Sequence, residues 1–138
     1  MQLDEILRTA HQLDASDIHL VSGHPPMVRI HTVLRPLEHP VLDPGALEDV
    51  LRSILSEQQI RNFEERQDLD FSYHVASLGR YRVNAHRMRS GIGLALRTVK
   101  SRAPSLAELN LPEVISRLTY LPRGLVLVTG DTGSGKST

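Results

Sequence analysis

The sequence has no cysteine and no tryptophan, and only two phenylalanines and three tyrosines among 138 residues. Without cysteine there is no disulfide, no thiolate metal site and no cysteine nucleophile. With so few aromatic side chains, the core has to rest on Leu, Ile and Val, and platforms for stacking unpaired bases are scarce. No run approaches the roughly 18 consecutive apolar residues of a membrane-spanning helix. The first residues, Met1 to Asp17, carry acids too early to be a signal peptide. The expectation is a soluble, cytoplasmic protein without a transmembrane segment. Its length suits one domain, or one domain and the start of another. Histidines are present at 11, 19, 24, 31, 39, 74 and 86, but no two lie at the i, i+4 spacing of a helical zinc pair. They are expected on the surface or in hydrogen bonds, with His19 stabilising the first strand rather than catalysing.

Net charge is zero, yet the signs are segregated. Glu38 to Asp70 holds nine acids against three arginines. Phe71 to Ala107 holds no acid, against Arg80, Arg82, Arg87, Arg89, Arg97, Lys100 and Arg102. Like charges on one small sheet repel, so the basic segment needs an anionic partner, such as nucleotide phosphate, nucleic acid or the acidic face of a neighbouring subunit, unless its arginines are separately solvated.

Hydrophobic periodicity predicts a helix over 2–13, on Leu3, Ile6, Leu7, Ala10 and Leu13. Short strands are expected at Asp17–Ser22, Met27–His31 and Val33–Leu37. Asp43-Pro44 marks the start of a second helix, and the capping box Ser56 to Gln59 the start of a third. Leu69–Val75, Gly79–Arg89 and Ile92–Val99 read as three antiparallel strands. Ser90-Gly91 as a two-residue turn sets Arg82 near Val99 and Asn84 opposite Arg97. Alternation then gathers Arg80, Arg82, Asn84 and Arg97 on one face, opposite Tyr81, Val83 and Ala85, whereas a three-residue turn would shift the register and separate Arg97 from this group. Pro104 lies in a linker. Ser105 to Glu108 forms another capping box, and Pro112 to about Thr119 a short helix. Gly124–Thr129 is apolar throughout, as in a strand buried inside a parallel sheet. Lacking flanking strands, residues 113–138 are expected to be disordered, folded back or paired with another copy.

That run feeds Gly130-Asp131-Thr132-Gly133-Ser134-Gly135-Lys136-Ser137, a full G-x-x-x-x-G-K-[ST] phosphate loop (Walker A). Gly130, Gly133 and Gly135 allow a backbone that wraps its N–H groups around a β-phosphate, with Thr132 and Ser134 contributing to the same nest. Lys136 would meet the β- and γ-phosphates, and Ser137 would ligate Mg²⁺. Ser137 and Thr138 would open the helix that follows. Without that helix and an acidic metal ligand, the chain by itself is expected neither to hydrolyse ATP nor to bind it tightly.

Several short motifs in order carry a resemblance along essentially the whole chain. They are Ala15-Ser16-Asp17-Ile18-His19-Leu20, Pro25-Pro26-Met27-Val28-Arg29-Ile30, Asp70-Phe71-Ser72-Tyr73, Arg80-Tyr81-Arg82-Val83-Asn84-Ala85, Leu96-Arg97-Thr98-Val99 and Pro122 to Gly130. The chain resembles the N-terminal part of the type IV pilus retraction ATPases, the PilT-like branch of the secretion ATPase superfamily. That resemblance implies an α+β chain with a PAS-like N-terminal domain over 1–100, an antiparallel sheet flanked by helices. A linker over 101–112 would follow, then the first helix, strand and P-loop of an incomplete RecA-like α/β domain over 113–138. It further implies a homo-hexameric motor at the cytoplasmic face of the inner membrane, using ATP and Mg²⁺ to drive pilus retraction and twitching motility with the pilus machinery. Arg82 and Arg97 match arginines similar to those that reach nucleotide phosphates and serve catalysis. The Ser-Asp-Ile-His-Leu motif so near the start favours retraction over the alternative, a pilus-assembly or type II secretion ATPase. Asp131 stands where the family usually has proline.

A nucleic-acid-binding module built on the basic 80–102 strands is the competing class. Neutral overall charge, few aromatics and no nucleic-acid-binding motif argue against it, so no nucleic-acid partner is expected.

Overall fold

The computed structural model describes residues 3–99, 102, 104–131 and 134–135. The chain divides into two compact units, Met1–Lys100 and Ser101–Thr138.

In the first unit, α1 (Leu3–Gln12) buries Leu3, Ile6, Leu7 and Ala10 of the stripe expected from 3.6-residue periodicity, whereas Leu13, also expected in it, lies past the helix end and is exposed. The Asp43 side chain accepts from Ala46 N at 2.9 Å and Pro44 opens α2 (Pro44–Ile54). Ser56 and Gln59 close a reciprocal capping box on α3 (Glu57–Arg66), and Gln67 ends it in a left-handed conformation. The strands are β1 (Asp17–Val21), β2 (Met27–Ile30), β3 (Val33–Pro36), β4 (Asp68–Val75), β5 (Gly79–Met88) and β6 (Gly91–Val99). They form one antiparallel sheet in the order β3-β2-β1-β6-β5-β4.

Strand alternation divides this sheet into two unlike faces. Ile18, Leu20, Val28, Phe71, Tyr81, Val83, Ala85, Ile92, Leu94 and Leu96 share one face and one core with α1, α2 and α3. The other face carries the polar residues of the same strands. Arg87 bridges its own face to the helices: it reaches Glu48 at 3.3 Å and lies 5.3 Å from the Phe63 ring centroid.

Two sequence expectations need correction here. The β5–β6 connection is Arg89-Ser90, because Met88 pairs with Gly91, so every partner shifts by two residues. Arg82 therefore faces Arg97, not Val99, and Asn84 faces Ala95. A two-residue shift preserves the face, so the polar grouping survives. Second, the basic strands find anionic partners in their own chain: Arg82 with Asp70, Arg87 with Glu48, Arg97 with Asp17 and Arg102 with Glu108. These acids come from β4, α2, β1 and the turn over 106–110, and only folding brings them to the arginines, which a linear count of charges does not reveal.

In the second unit, Ser105 and Glu108 form the expected reciprocal capping contacts, at 3.2 and 2.7 Å. They close a turn over 106–110, and α4 (Val114–Leu118) follows. Gly124–Thr129 takes no strand, and Leu125, Val126, Leu127 and Val128 are exposed. No strand among the described residues pairs with this run, and a strand without a neighbour has no ladder to satisfy its backbone. None of the described helices is long and apolar enough to cross a membrane.

Candidate functional site

The polar sheet face lines up its charges in rows, because directly paired residues on one face stand side by side. Asp17 pairs with Arg29 on one side and Arg97 on the other, and Arg97 pairs with Arg82. One row thus reads Arg29–Asp17–Arg97–Arg82 across β2, β1, β6 and β5. The next row reads Met27–His19–Ala95–Asn84–Asp70. The short Ala95 leaves a trough between His19 and Asn84. An open cleft of about 190 Å³ results, lined by Asp17, Arg97 and Arg82 along one row and by His19, Ala95, Asn84 and Asp70 along the other.

Asp17 is the best-held residue of the cleft, 9% exposed. Arg97 Nε donates to its Oδ1 at 2.8 Å, Ser16 Oγ donates to its Oδ2 at 2.8 Å, and Arg29 Nε lies 3.3 Å from Oδ2. Burial pushes the Asp17 carboxyl upward. Hydrogen bonds from Arg97 and Ser16, with the charges of Arg97 and Arg29, more than offset this and hold it below its ordinary value.

The arginines are arranged differently. Arg97 and Arg82 have side chains 73% exposed, and each turns its Nε toward a carboxylate, Asp17 at 2.8 Å and Asp70 at 4.0 Å respectively. Their terminal Nη groups make no hydrogen bond among the described residues. Two like charges directly opposite would repel, and the flanking carboxylates relieve that. Farther along, Asn84 Nδ2 donates to Asp68 Oδ1 at 3.3 Å, and His86 Nδ1 donates to Asn84 Oδ1 at 3.2 Å. His19 Nε2 is buried and has no hydrogen-bond partner among the described residues.

The pH dependence of this cluster follows from the Asp17 shift. Its folded pKa lies below the unfolded value near 3.8, so its contribution is complete above that value and disappears as pH falls through the folded one. Asp17→Asn is expected to lower unfolding free energy by about 1.5–3 kcal/mol at pH 7, the worth of hydrogen bonds to a charged group. Urea titrations at pH 7 and pH 3 check this: the gap between the two proteins should narrow at the lower pH, and a gap unchanged at pH 3 would contradict it.

The structure brings Arg82 and Arg97 together. Arg80 shares their face on β5 but does not line the cleft. Of the phosphate-loop residues, Gly130, Ser134 and Gly135 are described, and Thr132, Gly133, Lys136, Ser137 and Thr138 lie outside the described residues. Ser134 N donates to Asp131 O at 3.2 Å, and Gly135 has φ +85°, where glycine alone sits without strain. Sequence reasoning missed Arg29 and Asp17 as site residues. Asp17 and Arg97 are separated by 80 positions, and only the β1–β6 pairing unites them. The available signal was the polar parity of Asp17, His19 and Arg29 on strands whose other positions are apolar.

Comparison with known proteins places this geometry. Residues 1–138 match the family of type II/IV secretion system proteins. The chain is 41% identical over 138 residues to the type IV pilus retraction ATPase PilT of Pseudomonas aeruginosa, aligning in full with 40% of that protein. The crystal structure of the pilus retraction motor PilT with bound ADP superposes with a TM-score of 0.84 at 40% identity, covering 100% of this chain and 40% of that one. The ATPase DotB of Legionella pneumophila gives 0.81 at 31% identity, covering 98% and 39%. The chain therefore spans about 40% of the length of these relatives. With the family matched from end to end and close likeness in both sequence and fold, the chain belongs to the type II/IV secretion system protein family.

Proposed function

We propose that this chain is the N-terminal portion of an ATP-hydrolysing ring motor that powers type IV pilus retraction, with 1–100 as a PAS-like domain, 101–112 as a linker and 113–138 as the start of a RecA-like domain ending in the Walker A loop. The observation that carries it is the pairing of Arg82 with Arg97 on the sheet face opposite the one that shares a core with α1, α2 and α3. Both guanidinium ends are presented outward beside a cleft, which suits phosphate oxygens. The relative that was solved with bound ADP, and the 41% identity to a retraction ATPase, support the nucleotide and the direction of movement. The DotB likeness favours a secretion ATPase of the same family as the second reading.

In this reading Gly130, Thr132, Gly133, Ser134 and Gly135 cradle the phosphates with backbone N–H groups, and Lys136 neutralises the β- and γ-phosphates. The Gly135 backbone conformation fits such a loop. Ser137 and Thr138 would begin the supporting helix, and Ser137 would hold Mg²⁺, which would supply charge neutralisation to the phosphates. Arg82 and Arg97 act as catalytic residues, meeting charge that develops on the transferred phosphoryl group.

The test is turnover in the full-length protein. Arg82→Ala and Arg97→Ala are each expected to lower ATPase rate about 10- to 100-fold with rings intact by light scattering, the loss of one charge-assisted contact of ~1.5–3 kcal/mol. Unchanged turnover sinks the proposal, and loss of rings reassigns the arginines to assembly.

A further inference from the structure

We propose that Asp17 is a positioning residue for nucleotide phosphate binding, holding Arg97 by one edge so that the other edge is set for the phosphate; this rests on the arginine reading above.

A guanidinium has two distinct hydrogen-bonding edges, and the structure divides their duties. The Arg97 Nε is engaged by Asp17 Oδ1 at 2.8 Å, whereas its Nη groups make no hydrogen bond among the described residues. A solvated arginine samples many rotamers, and ordering one on binding costs affinity. An arginine already held at Nε is spared that cost and offers its Nη pair to phosphate oxygens in a fixed direction.

Asp17 itself is fit for the task because it cannot move. It sits on β1, one of the two central strands of the sheet, and Ser16 Oγ and Arg29 hold its second oxygen. Ser16 is anchored in turn, donating its backbone N–H to Arg29 O at 2.9 Å and accepting from Thr98 N at 3.1 Å. The carboxylate thus has one oxygen tied to the scaffold and one to Arg97. Two arginines against one carboxylate leave a net positive charge, so Asp17 orients Arg97 without cancelling the attraction for phosphate. Arg82 repeats the arrangement more loosely, with Asp70 at 4.0 Å from its Nε. Asp17 therefore makes Arg97 the more rigid of the two.

The experiment is a double-mutant cycle on ATPase kcat/KM in the full-length protein, using Asp17→Asn, Arg97→Ala and both together, with ring size and melting temperature recorded. Asp17→Asn is expected to lower kcat/KM about ten-fold in the native background and less than two-fold in the Arg97→Ala background. A role confined to stability gives the same fold-loss in both backgrounds, and that result overturns the proposal. If Arg97→Ala alone leaves turnover unchanged, the phosphate reading fails and the positioning role fails with it. Should Asp17→Asn not fold, Ser16→Ala removes one contact to the carboxylate and should lower kcat/KM two- to three-fold by the same route. No loss in that variant overturns the proposal equally.

Discussion

Gly91→Ala is expected to destabilise the N-terminal unit by about 3 kcal/mol, the sum of backbone strain and a steric overlap. Gly91 follows the Arg89-Ser90 turn with φ +131°, a conformation that residues with a β-carbon rarely adopt. An added β-carbon would lie 2.5 Å from Ser22 Oγ and 2.8 Å from Ser22 Cβ. Ser22 cannot yield easily. It is fully buried, its Oγ donates to Ile92 O at 3.0 Å, and that same Oγ accepts from Ile92 N at 3.1 Å. Moving its side chain breaks both bonds and takes the Oγ partner from Ile92 N, at ~1–3 kcal/mol, while Ile92 O keeps the Ser22 backbone N–H at 3.1 Å. Gly79→Ala provides the control, because Gly79 also has positive φ, +98°, but nothing lies within 4 Å of the added carbon. It should cost about 1 kcal/mol, from strain alone. Urea denaturation of the two variants separates the effects, and equal losses would show that the overlap relaxes without consequence.

Local signals made most of this fold legible. Asp43-Pro44 and the Ser56–Gln59 box start α2 and α3 where their hydrogen bonds predict, since a cap is chemistry between residues three apart. The parity of β5 was equally plain, because Tyr81, Val83 and Ala85 are apolar and alternate with polar residues. Pairing between strands was harder. Arg89-Ser90 and Ser90-Gly91 are both plausible two-residue turns, and the choice moves each cross-strand partner by two. Arg82 and Arg97 stayed on one face under either choice, so the candidate site survived an error in register. The role of Asp17 was out of reach, because it depends on β1 lying beside β6, a topological fact that no local pattern encodes. The 124–129 run shows the opposite limit: its composition reads as buried strand, but a strand also needs a neighbour to pair with, and among the described residues it has none.

Leu94→Ala should remove about 3 kcal/mol, within the usual 2–5 kcal/mol for deleting a buried leucine side chain. Leu94 is 1% exposed and pairs with Leu20 on β1 and Ala85 on β5, at the centre of the core beneath the helices. Because Ala85 is already small, little bulk is available on that side to fill the cavity. For a unit near 100 residues this corresponds to a fall in melting temperature of roughly 12–20 °C. Leu20→Ala should cost a similar amount. The double variant should fall short of the sum, since the two deletions open one shared cavity. Leu94 and Arg97 lie on the same strand but on opposite faces, so the variant separates stability from site geometry. Backbone pairing, not core volume, sets the Arg29–Asp17–Arg97–Arg82 row. Turnover per folded ring at 20 °C should therefore stay within two-fold of the native value, even as the melting temperature drops. A ten-fold loss per folded ring would show that packing under β6 tunes the arginines directly, and that the row is not fixed by strand register alone.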